Sequence, residues 1–344
     1  MATPARLNDG HGAPERDARL PCSYYLDEHG TLRHDLPPSE LLSAVECEKG
    51  ELWVAIDVGS RSQVAVLEKV FHFHPLSIED TLNPNSRVKI EEYPGYLFMI
   101  IRGVRFDETT NDPYDLETYN LCLFIGPHYV VTTHAGRAAS VNAVAERIDR
   151  SPDLMGRGVS RLAHAIMDMA VDEYFPILDR LDEFIDGLEG RIFSSFDQSA
   201  LHDIFAVKRL VLGLRRHLSP QREVFNVLTN RPTPLLTPEV QLYFRDIYDH
   251  QLRITDSLDT YRDMLGSTLD SYLTQVSNRL GAVTKGLSVI ATMSIPFVVV
   301  SGMWGMNVRG LPFAEHRWGF ELLLVVQLLI GLLLLALLRW RKLL

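Results

Sequence analysis

The sequence predicts an α/β N-terminal domain, followed by a long stalk helix and two C-terminal transmembrane helices. Three observations predict this fold class. Short β-rich runs alternate with helical runs before residue 150, an apolar stripe with helical spacing follows Thr237, and two long uncharged runs lie beyond Lys285. With 344 residues, the chain is long enough to form more than one domain.

These patterns also set the expected segment boundaries. The segments are a disordered tail (1–20), an α/β cytosolic domain (21–150), a helical cytosolic hairpin (151–236), the stalk helix continuing into the first transmembrane helix (237–306), an extracytoplasmic loop (307–318), the second transmembrane helix (319–339) and a basic cytosolic tail (340–344). The first segment has no apolar core, so it does not have the pattern of a signal peptide.

Three β-rich runs in the N-terminal part are expected to form strands. They are residues 52–58, 96–104 and 121–134. The last run contains Gly126-Pro127, which is typical of a turn, so it predicts a β-hairpin. Because helical runs separate these strands, an α/β domain is the expected class.

The helical segment between Arg161 and His217 is rich in acidic residues. A solvated helix face is the preferred interpretation for each of them, and a cation site is the alternative. These residues are Asp168, Asp172, Glu173, Asp179, Asp182, Glu183, Asp186 and Glu189.

The stalk helix has a clear predicted start at Thr237-Pro238-Glu239, because a capping Thr precedes a Pro at the first helical position and an acid in the first turn. Large apolar residues then recur in steps of four, three and four. They are Ile254, Leu258, Tyr261, Leu265, Leu269, Tyr272, Val276, Leu280, Val283 and Leu287. An eleven-residue repeat, about 3.67 residues per turn, keeps this stripe on one face of a nearly straight helix. We expect other copies of the chain to cover it.

An acidic line follows the same helix, at Asp249, Asp256, Asp263 and Asp270. Since seven residues are nearly two helical turns, these carboxylates lie beside the apolar stripe. Solubility is one interpretation. The other is that cations occupy an acidic edge between subunits, because such an edge otherwise repels its neighbour.

Two uncharged runs predict membrane spans. No charged residue lies between Lys285 and Arg309 or between Glu321 and Arg339. A span needs about 20 apolar residues, and a proline such as Pro296 is tolerated inside one.

Basic residues predict the orientation of this hairpin. Arg339, Arg341 and Lys342 crowd the C-terminus around Trp340. Such residues favour the cytosolic side, so both termini are expected in the cytosol. We expect a multi-pass protein of the cell (inner) membrane, with the lipid bilayer as a partner.

Composition excludes several classes of function. The formal net charge of −10 argues against nucleic acid as a partner, because phosphate binding needs clustered Lys and Arg. Three cysteines give no disulfide framework and no metal-ligand spacing. The sequence has no Gly-x-Ser-x-Gly, His-Glu-x-x-His or phosphate-loop motif, so an enzyme is not expected.

The first membrane run ends at Met303-Trp304-Gly305-Met306-Asn307. A Gly-Met-Asn triplet at this position, followed by a short loop and a final span, resembles the CorA family of magnesium transporters. Residues 74–100 are similar to a cytosolic signature of that family, and residues 248–278 are similar to its stalk helix. The resemblance extends from about residue 50 to the C-terminus.

The resemblance implies a homopentameric funnel that moves Mg²⁺ into the cell down the membrane potential. Gly305, Met306 and Asn307 then form the selectivity entrance together with Glu315 of the loop, and Leu287 and Thr284 form the pore gate. Neutral oxygens at the entrance suit a hydrated Mg²⁺ ion, which sheds its water reluctantly.

The resemblance also implies a regulatory role for Mg²⁺ between subunits. Asp80 and Asp270 match the carboxylate pair of the family's cytosolic sensor, with Glu79 and Asp246 as residues of a second site. Bound Mg²⁺ is then expected to hold the pore shut.

This chain departs from the family pattern along the pore. Gly281, Thr284 and Val298 replace more polar or larger residues, and Leu311-Pro312-Phe313 replaces the usual Met-Pro-Glu of the loop. These departures leave open Zn²⁺, Co²⁺ or Ni²⁺ as transported ions, with the family's proton-coupled zinc branch as the alternative.

Two other readings stay open. One is a membrane-anchored cation sensor or scaffold that conducts no ions. The other is that His72 and His74 bind a transition metal. The preferred interpretation of these two histidines is that they are turn and core residues.

Overall fold

The computed structural model describes residues 21–106, 116–194, 199–233, 235–306 and 316–341. The chain forms two compact units, of which the first comprises residues up to 189 together with 199–266. The second comprises residues 190–198 and the chain from 267 onward. The disordered tail expected at 1–20 lies outside the described residues.

A mixed sheet forms the centre of the first unit. Its strands are β1 (Cys22–Leu26), β2 (Leu32–His34), β3 (Glu51–Asp57), β4 (Lys89–Tyr93), β5 (Tyr96–Phe106), β6 (Leu116–Ile125) and β7 (Tyr129–His134). The order is β2-β1-β3-β7-β6-β5-β4, in which β3 and β7 are parallel and the other neighbours antiparallel. The three predicted strand regions are confirmed, including the hairpin of β6 and β7.

Three helices lie between strands of the sheet, and the remaining described helices follow β7. They are α1 (Pro38–Glu46), α2 (Arg61–Lys69), α3 (Pro75–Leu82), α4 (Ala139–Arg150), α5 (Val159–Asp172), α6 (Phe175–Ser194), α7 (Ser199–Asn230), α8 (Pro238–Trp304) and α9 (Gly319–Trp340), with a 3₁₀ helix at Pro152–Arg157. Residues 151–236, expected to form a helical hairpin, therefore contain the 3₁₀ helix and three α-helices.

Both faces of the sheet are covered by helices, as in an α/β fold. On one face, Leu41 of α1 and Leu67 of α2 join Phe98 and Phe124 in one apolar cluster. The helix α5 packs against β5, β6 and β7. Neighbouring residues on β5, such as Leu97 and Phe98, are both fully buried because their side chains point to opposite faces.

The predicted stalk helix is α8, a continuous helix of 67 residues that begins at Pro238 and contains Pro296. Its first part packs inside the first unit. Leu258 and Leu265 are fully buried, and the Tyr261 hydroxyl donates a hydrogen bond of 3.1 Å to the Leu178 carbonyl of α6. The Gln251 amide likewise donates to the Leu218 carbonyl of α7 at 3.1 Å.

The apolar stripe of α8 therefore has two different environments. The expectation that other copies of the chain cover it is wrong for the first part, because α6 and α7 already do so. Leu280, Val283 and Leu287 lie farther along and remain 66%, 65% and 66% exposed in the single chain. Only this later part of the apolar stripe remains uncovered in the single chain.

Two helices, α8 and α9, are long and apolar enough to cross a membrane. The predicted spans coincide with the end of α8 and with α9. Most large side chains of α9 are exposed in the single chain, Leu333 by 71% and Leu328 by 64%.

Candidate ion pathway and cation sites

The first two residues of the predicted pore entrance, Gly305 and Met306, directly follow α8, which ends at Trp304. The Gly305 amide donates to the Ser301 carbonyl at 3.0 Å, and the Met306 amide donates to the Met303 carbonyl at 3.3 Å. Backbone hydrogen bonding of helical type therefore continues past Trp304 and positions Gly305 and Met306. Asn307 and Glu315, the other two predicted entrance residues, lie outside the described residues.

The predicted gate residues lie on the same helix, several turns earlier. Leu287 and Thr284 are both exposed in the single chain. Their exposure fits a face that meets other copies around a pore, but a single chain cannot form the ring. Their role stays a prediction.

Asp80 lies on α3, the short helix that Pro75 begins. The His74 ring caps this helix, because its Nδ1 accepts a hydrogen bond of 3.2 Å from the Leu76 amide. The Asp80 carboxylate is held by Lys89 of β4, whose Nζ is 2.7 Å from Asp80 Oδ2 and 2.8 Å from Glu91 Oε1. Burial alone lowers the pKa of Lys89, but the hydrogen bonds to Asp80 and Glu91 raise it above its usual value. The predicted sensor carboxylate of Asp80 is therefore already paired with the ammonium group of Lys89.

The remaining predicted regulatory residues lie on exposed surfaces. Asp270 is exposed on α8, where its carbonyl accepts a hydrogen bond of 2.8 Å from the Thr274 hydroxyl. Glu79 is exposed on α3 and lines a cavity of about 490 Å³ between α2 and α3. Asp270 belongs to the second unit, whereas Asp80 and Glu79 belong to the first.

Asp246, the other predicted second-site residue, adjoins a cluster of metal-ligating groups. Within the described part of the chain, Asp168, Asp172 and His250 offer ligand atoms that all lie within 4.8 Å of one another. His250 Nδ1 is 3.1 Å from Asp172 Oδ1, and His250 Nε2 is 3.9 Å from Asp246 Oδ1. We call these four residues the α5–α8 cluster.

Helix geometry explains this cluster. Asp168 and Asp172 are four residues apart on α5, and Asp246 and His250 are four residues apart on α8, so each pair lies on one helix face. Burial raises the pKa of the Asp168 carboxyl, the nearby Asp172 raises it further, and His250 opposes the shift. The site concentrates negative charge in a partly desolvated place, which is the electrostatic condition that cation binding relieves.

Comparison with known proteins identifies the family. Residues 48–341 match the family described as "CorA-like Mg2+ transporter protein". The chain belongs to this family. YfjQ of Bacillus subtilis is 32% identical over 283 residues, which cover 82% of this chain and 86% of YfjQ. The cobalt/magnesium transport protein CorA of Thermotoga maritima is 30% identical over 297 residues, covering 84% of this chain and 82% of that protein.

A solved structure shows the same fold. The complete CorA magnesium transporter of Methanocaldococcus jannaschii superposes with a TM-score of 0.81 at 20% identity, covering 92% of this chain and 97% of that chain. The recognition of a CorA-like chain from Gly305-Met306-Asn307 and its position is thus confirmed, as is the order of α/β domain, long helix and two apolar C-terminal helices.

Sequence reasoning missed part of the α5–α8 cluster in this CorA-like chain. It assigned Asp168 and Asp172 to a solvated face and did not single out His250. The solvated interpretation is right for Asp179 and Asp182, which are exposed, and wrong for Asp168 and Glu173, which are half-buried. Two i, i+4 pairs of ligand residues were a usable signal, but only the fold shows that the two helices meet there.

The two histidines left open by the sequence have structural roles. His72 adopts a positive φ of 51° in a turn, and His74 caps α3. The interpretation as a turn residue fits His72, whereas the interpretation as a core residue is wrong for His74, which is exposed at the start of α3.

Proposed function

We propose that this CorA-like protein is a divalent-cation channel that moves Mg²⁺ into the cell, driven by the membrane potential. The observation that supports this most directly is the Gly-Met-Asn triplet at the C-terminal end of α8, a helix long and apolar enough to span a membrane. An anchor helix without transport needs no special residues at that end.

The chemistry of the triplet fits hydrated Mg²⁺ as the transported ion. The Asn307 side chain supplies a neutral carbonyl oxygen, which accepts hydrogen bonds from the water shell that Mg²⁺ retains. A divalent ion that crosses a potential of about 100 mV gains roughly 4.6 kcal/mol, so no nucleotide is needed to drive uptake. We take the functional form to be a homopentamer in the cell membrane, with both termini in the cytosol.

We further propose that cytosolic divalent cations close this channel by binding at two sites. The first comprises Asp80 and Asp270, supplied by neighbouring copies. The second is the α5–α8 cluster with Glu79 of a neighbouring copy. Three of its groups, Asp168, Asp172 and His250, are close enough to share one ion. Asp246 lies 3.9 Å from the other ring nitrogen of His250, which supports its choice as a neighbouring second-site residue.

The donor groups of the second site suggest a range of ions. Carboxylate oxygens suit Mg²⁺, whereas an imidazole nitrogen such as that of His250 suits Co²⁺, Ni²⁺ and Zn²⁺. We therefore propose that this site accepts Co²⁺ as well as Mg²⁺.

Flux measurements on reconstituted protein test the channel proposal. Uptake of Mg²⁺, Zn²⁺, Co²⁺ and Ni²⁺ into liposomes is compared for the unsubstituted protein and Asn307→Ala. Asn142→Ala serves as the control, because Asn142 is exposed on α4 of the first unit. We expect potential-driven Mg²⁺ uptake that falls at least about tenfold in Asn307→Ala and is unchanged in the control, as loss of the entrance carbonyl ring predicts.

Other results assign other functions. Zn²⁺ uptake that requires a pH gradient indicates a proton-coupled zinc transporter. Absence of flux for every ion indicates a membrane-anchored sensor or scaffold.

A further inference from the structure

A single amide side chain, Gln327, interrupts the apolar run of α9. Gln327 is only 9% exposed, whereas its neighbours Leu328 and Leu329 are 64% and 59% exposed. Its Nε2 donates a hydrogen bond of 3.0 Å to Ser301 Oγ, and it lies 3.4 Å from the Phe297 carbonyl oxygen. Both acceptors belong to α8, so Gln327 joins the two membrane helices.

A steric fit lies one turn from this hydrogen bond. Gly331 is four residues after Gln327, and Phe297 is four residues before Ser301. A Cβ atom at Gly331 would approach Cζ of the Phe297 ring to 2.9 Å, closer than van der Waals contact. The ring therefore occupies the space that glycine leaves, and the two contacts fix the axial and rotational position of α9 against α8. We call Phe297, Ser301, Gln327 and Gly331 the interhelical clamp.

The clamp is coupled to the pore entrance through the backbone. The Ser301 carbonyl accepts the hydrogen bond of 3.0 Å from the Gly305 amide. Ser301 thus contacts α9 with its side chain and positions Gly305, the first residue of the Gly-Met-Asn triplet, with its carbonyl group. Gln327 can set the position of that turn without touching the ion.

A hydrocarbon environment makes the hydrogen bond between Gln327 and Ser301 decisive for the register of the two helices. In hydrocarbon, an amide or hydroxyl without a partner is strongly unfavourable because no water replaces the lost hydrogen bond. A slip of one residue, about 1.5 Å along the helix, would separate the Gln327 amide from Ser301. The helices consequently have one preferred register at the level of the entrance.

We propose that Gln327 is a positioning residue for ion capture. By its hydrogen bond to Ser301, it holds the last turn of α8 at the distance from the pore axis that admits a hydrated divalent cation. This inference rests on the proposed channel function. It predicts that loss of the bond changes the Mg²⁺ concentration at half-maximal uptake, not only the amount of active protein.

Two substitutions at Ser301 give a matched comparison. Ser301→Thr keeps the hydroxyl group. Ser301→Val introduces a side chain of nearly the same shape as threonine but without the hydroxyl group. Gln327→Leu removes the amide and is at least as compatible with lipid. We expect Gln327→Leu and Ser301→Val to raise the half-saturating Mg²⁺ concentration about three- to tenfold, the range that interhelical hydrogen bonds in membranes support. Ser301→Thr should match the unsubstituted protein.

The double variant Gln327→Leu/Ser301→Val distinguishes coupling from independent damage. If both residues act through one bond, its half-saturating concentration equals that of the worse single variant. An unchanged half-saturating concentration in Gln327→Leu, with the maximal rate reduced in proportion to folded protein, overturns the positioning role and leaves the channel intact. Absence of flux from the unsubstituted protein overturns the channel proposal, and the positioning role with it.

Discussion

Lys89 lies where a cation at the predicted sensor carboxylate would bind. Its ammonium group contacts both Asp80 and Glu91, and the side chains of Lys89 and Asp80 are only 27% and 30% exposed. In such a partly desolvated place, a positive charge strongly opposes a second one. A divalent cation must therefore displace Lys89 from Asp80 or share the carboxylate with it. The single chain thus contains an internal competitor for the proposed regulatory ion.

Replacing Lys89 should make closure more sensitive to cytosolic Mg²⁺. In Lys89→Met the competing charge is removed, so we expect the Mg²⁺ concentration for half-maximal inhibition to fall roughly five- to tenfold, as loss of one nearby unit charge predicts. Flux from reconstituted channels, measured against Mg²⁺ on the cytosolic side, gives this concentration. Lys69→Met, at an exposed position in the last turn of α2, is the control. A higher or unchanged concentration would show that Lys89 supports the site and does not compete for it.

At the scale of elements, long periodic patterns predicted structure well and short ones did not. The start of α8 at Pro238 and its continuation through Pro296 followed from capping residues and spacing. The strands β1, β2 and β4 were missed. They are short, β4 is only half-buried, and its Lys-Ile-Glu-Glu-Tyr sequence lacks a regular apolar alternation. Pairing with β5, not local preference, makes β4 a strand.

The partner of the α8 stripe shows a further limit of sequence reasoning. Periodicity gave the face correctly but could not say what covers it. Leu258 is fully buried in the single chain and Leu280 is 66% exposed, although both fit the same repeat. The α5–α8 cluster could not be predicted for the same reason, because it depends on which helices pack together. Asp172 and His250 are 78 positions apart in the chain and meet only because α8 packs back on α5. The predicted sensor residues Asp80 and Asp270 came from family resemblance, because spacing does not connect them.

The two halves of the stripe should respond differently to the same substitution. Leu258→Ala removes a fully buried side chain within the first unit, so we expect a loss of about 2 to 5 kcal/mol in stability. Leu280→Ala removes a side chain that is 66% exposed in the single chain and should change that stability little. It should instead reduce the fraction of oligomer, because this part of the stripe is left for other copies.

Two measurements separate these effects. Denaturant unfolding of the full-length protein in detergent reports the loss at Leu258, and chemical cross-linking at several protein concentrations reports assembly at Leu280. Equal effects of both substitutions on unfolding would mean that the whole stripe is covered within one chain.

For the whole molecule, the acidic surface gives a physical reason for the proposed control by cations. The chain has a net charge of −10, and its long helix displays exposed carboxylates at Asp249, Asp256, Asp263 and Asp270. Copies arranged around one axis bring such surfaces together, and their repulsion favours separation unless cations bind between them. In the proposed homopentamer, cytosolic Mg²⁺ would then be a ligand that stabilises the closed assembly, and its loss would free the copies to open. A ligand shifts an equilibrium only by its difference in affinity for the two states, so the bridging carboxylates determine how strong the feedback is.

Removing the bridging pair should therefore uncouple flux from cytosolic Mg²⁺. In Asp80→Ala/Asp270→Ala we expect channels that still conduct at millimolar internal Mg²⁺, because no divalent ion can join neighbouring copies at this site. We expect the unsubstituted protein to be closed under the same conditions. The matched control is Asp179→Ala/Glu183→Ala, which removes two exposed carboxylates from α6 and leaves both proposed sites intact. Mg²⁺ flux is followed at increasing internal Mg²⁺ for all three proteins. If the control also stays open, general charge repulsion and not a defined site governs closure. If inhibition persists in Asp80→Ala/Asp270→Ala, these residues are not the sensor, and the α5–α8 cluster becomes the site whose substitution should abolish it.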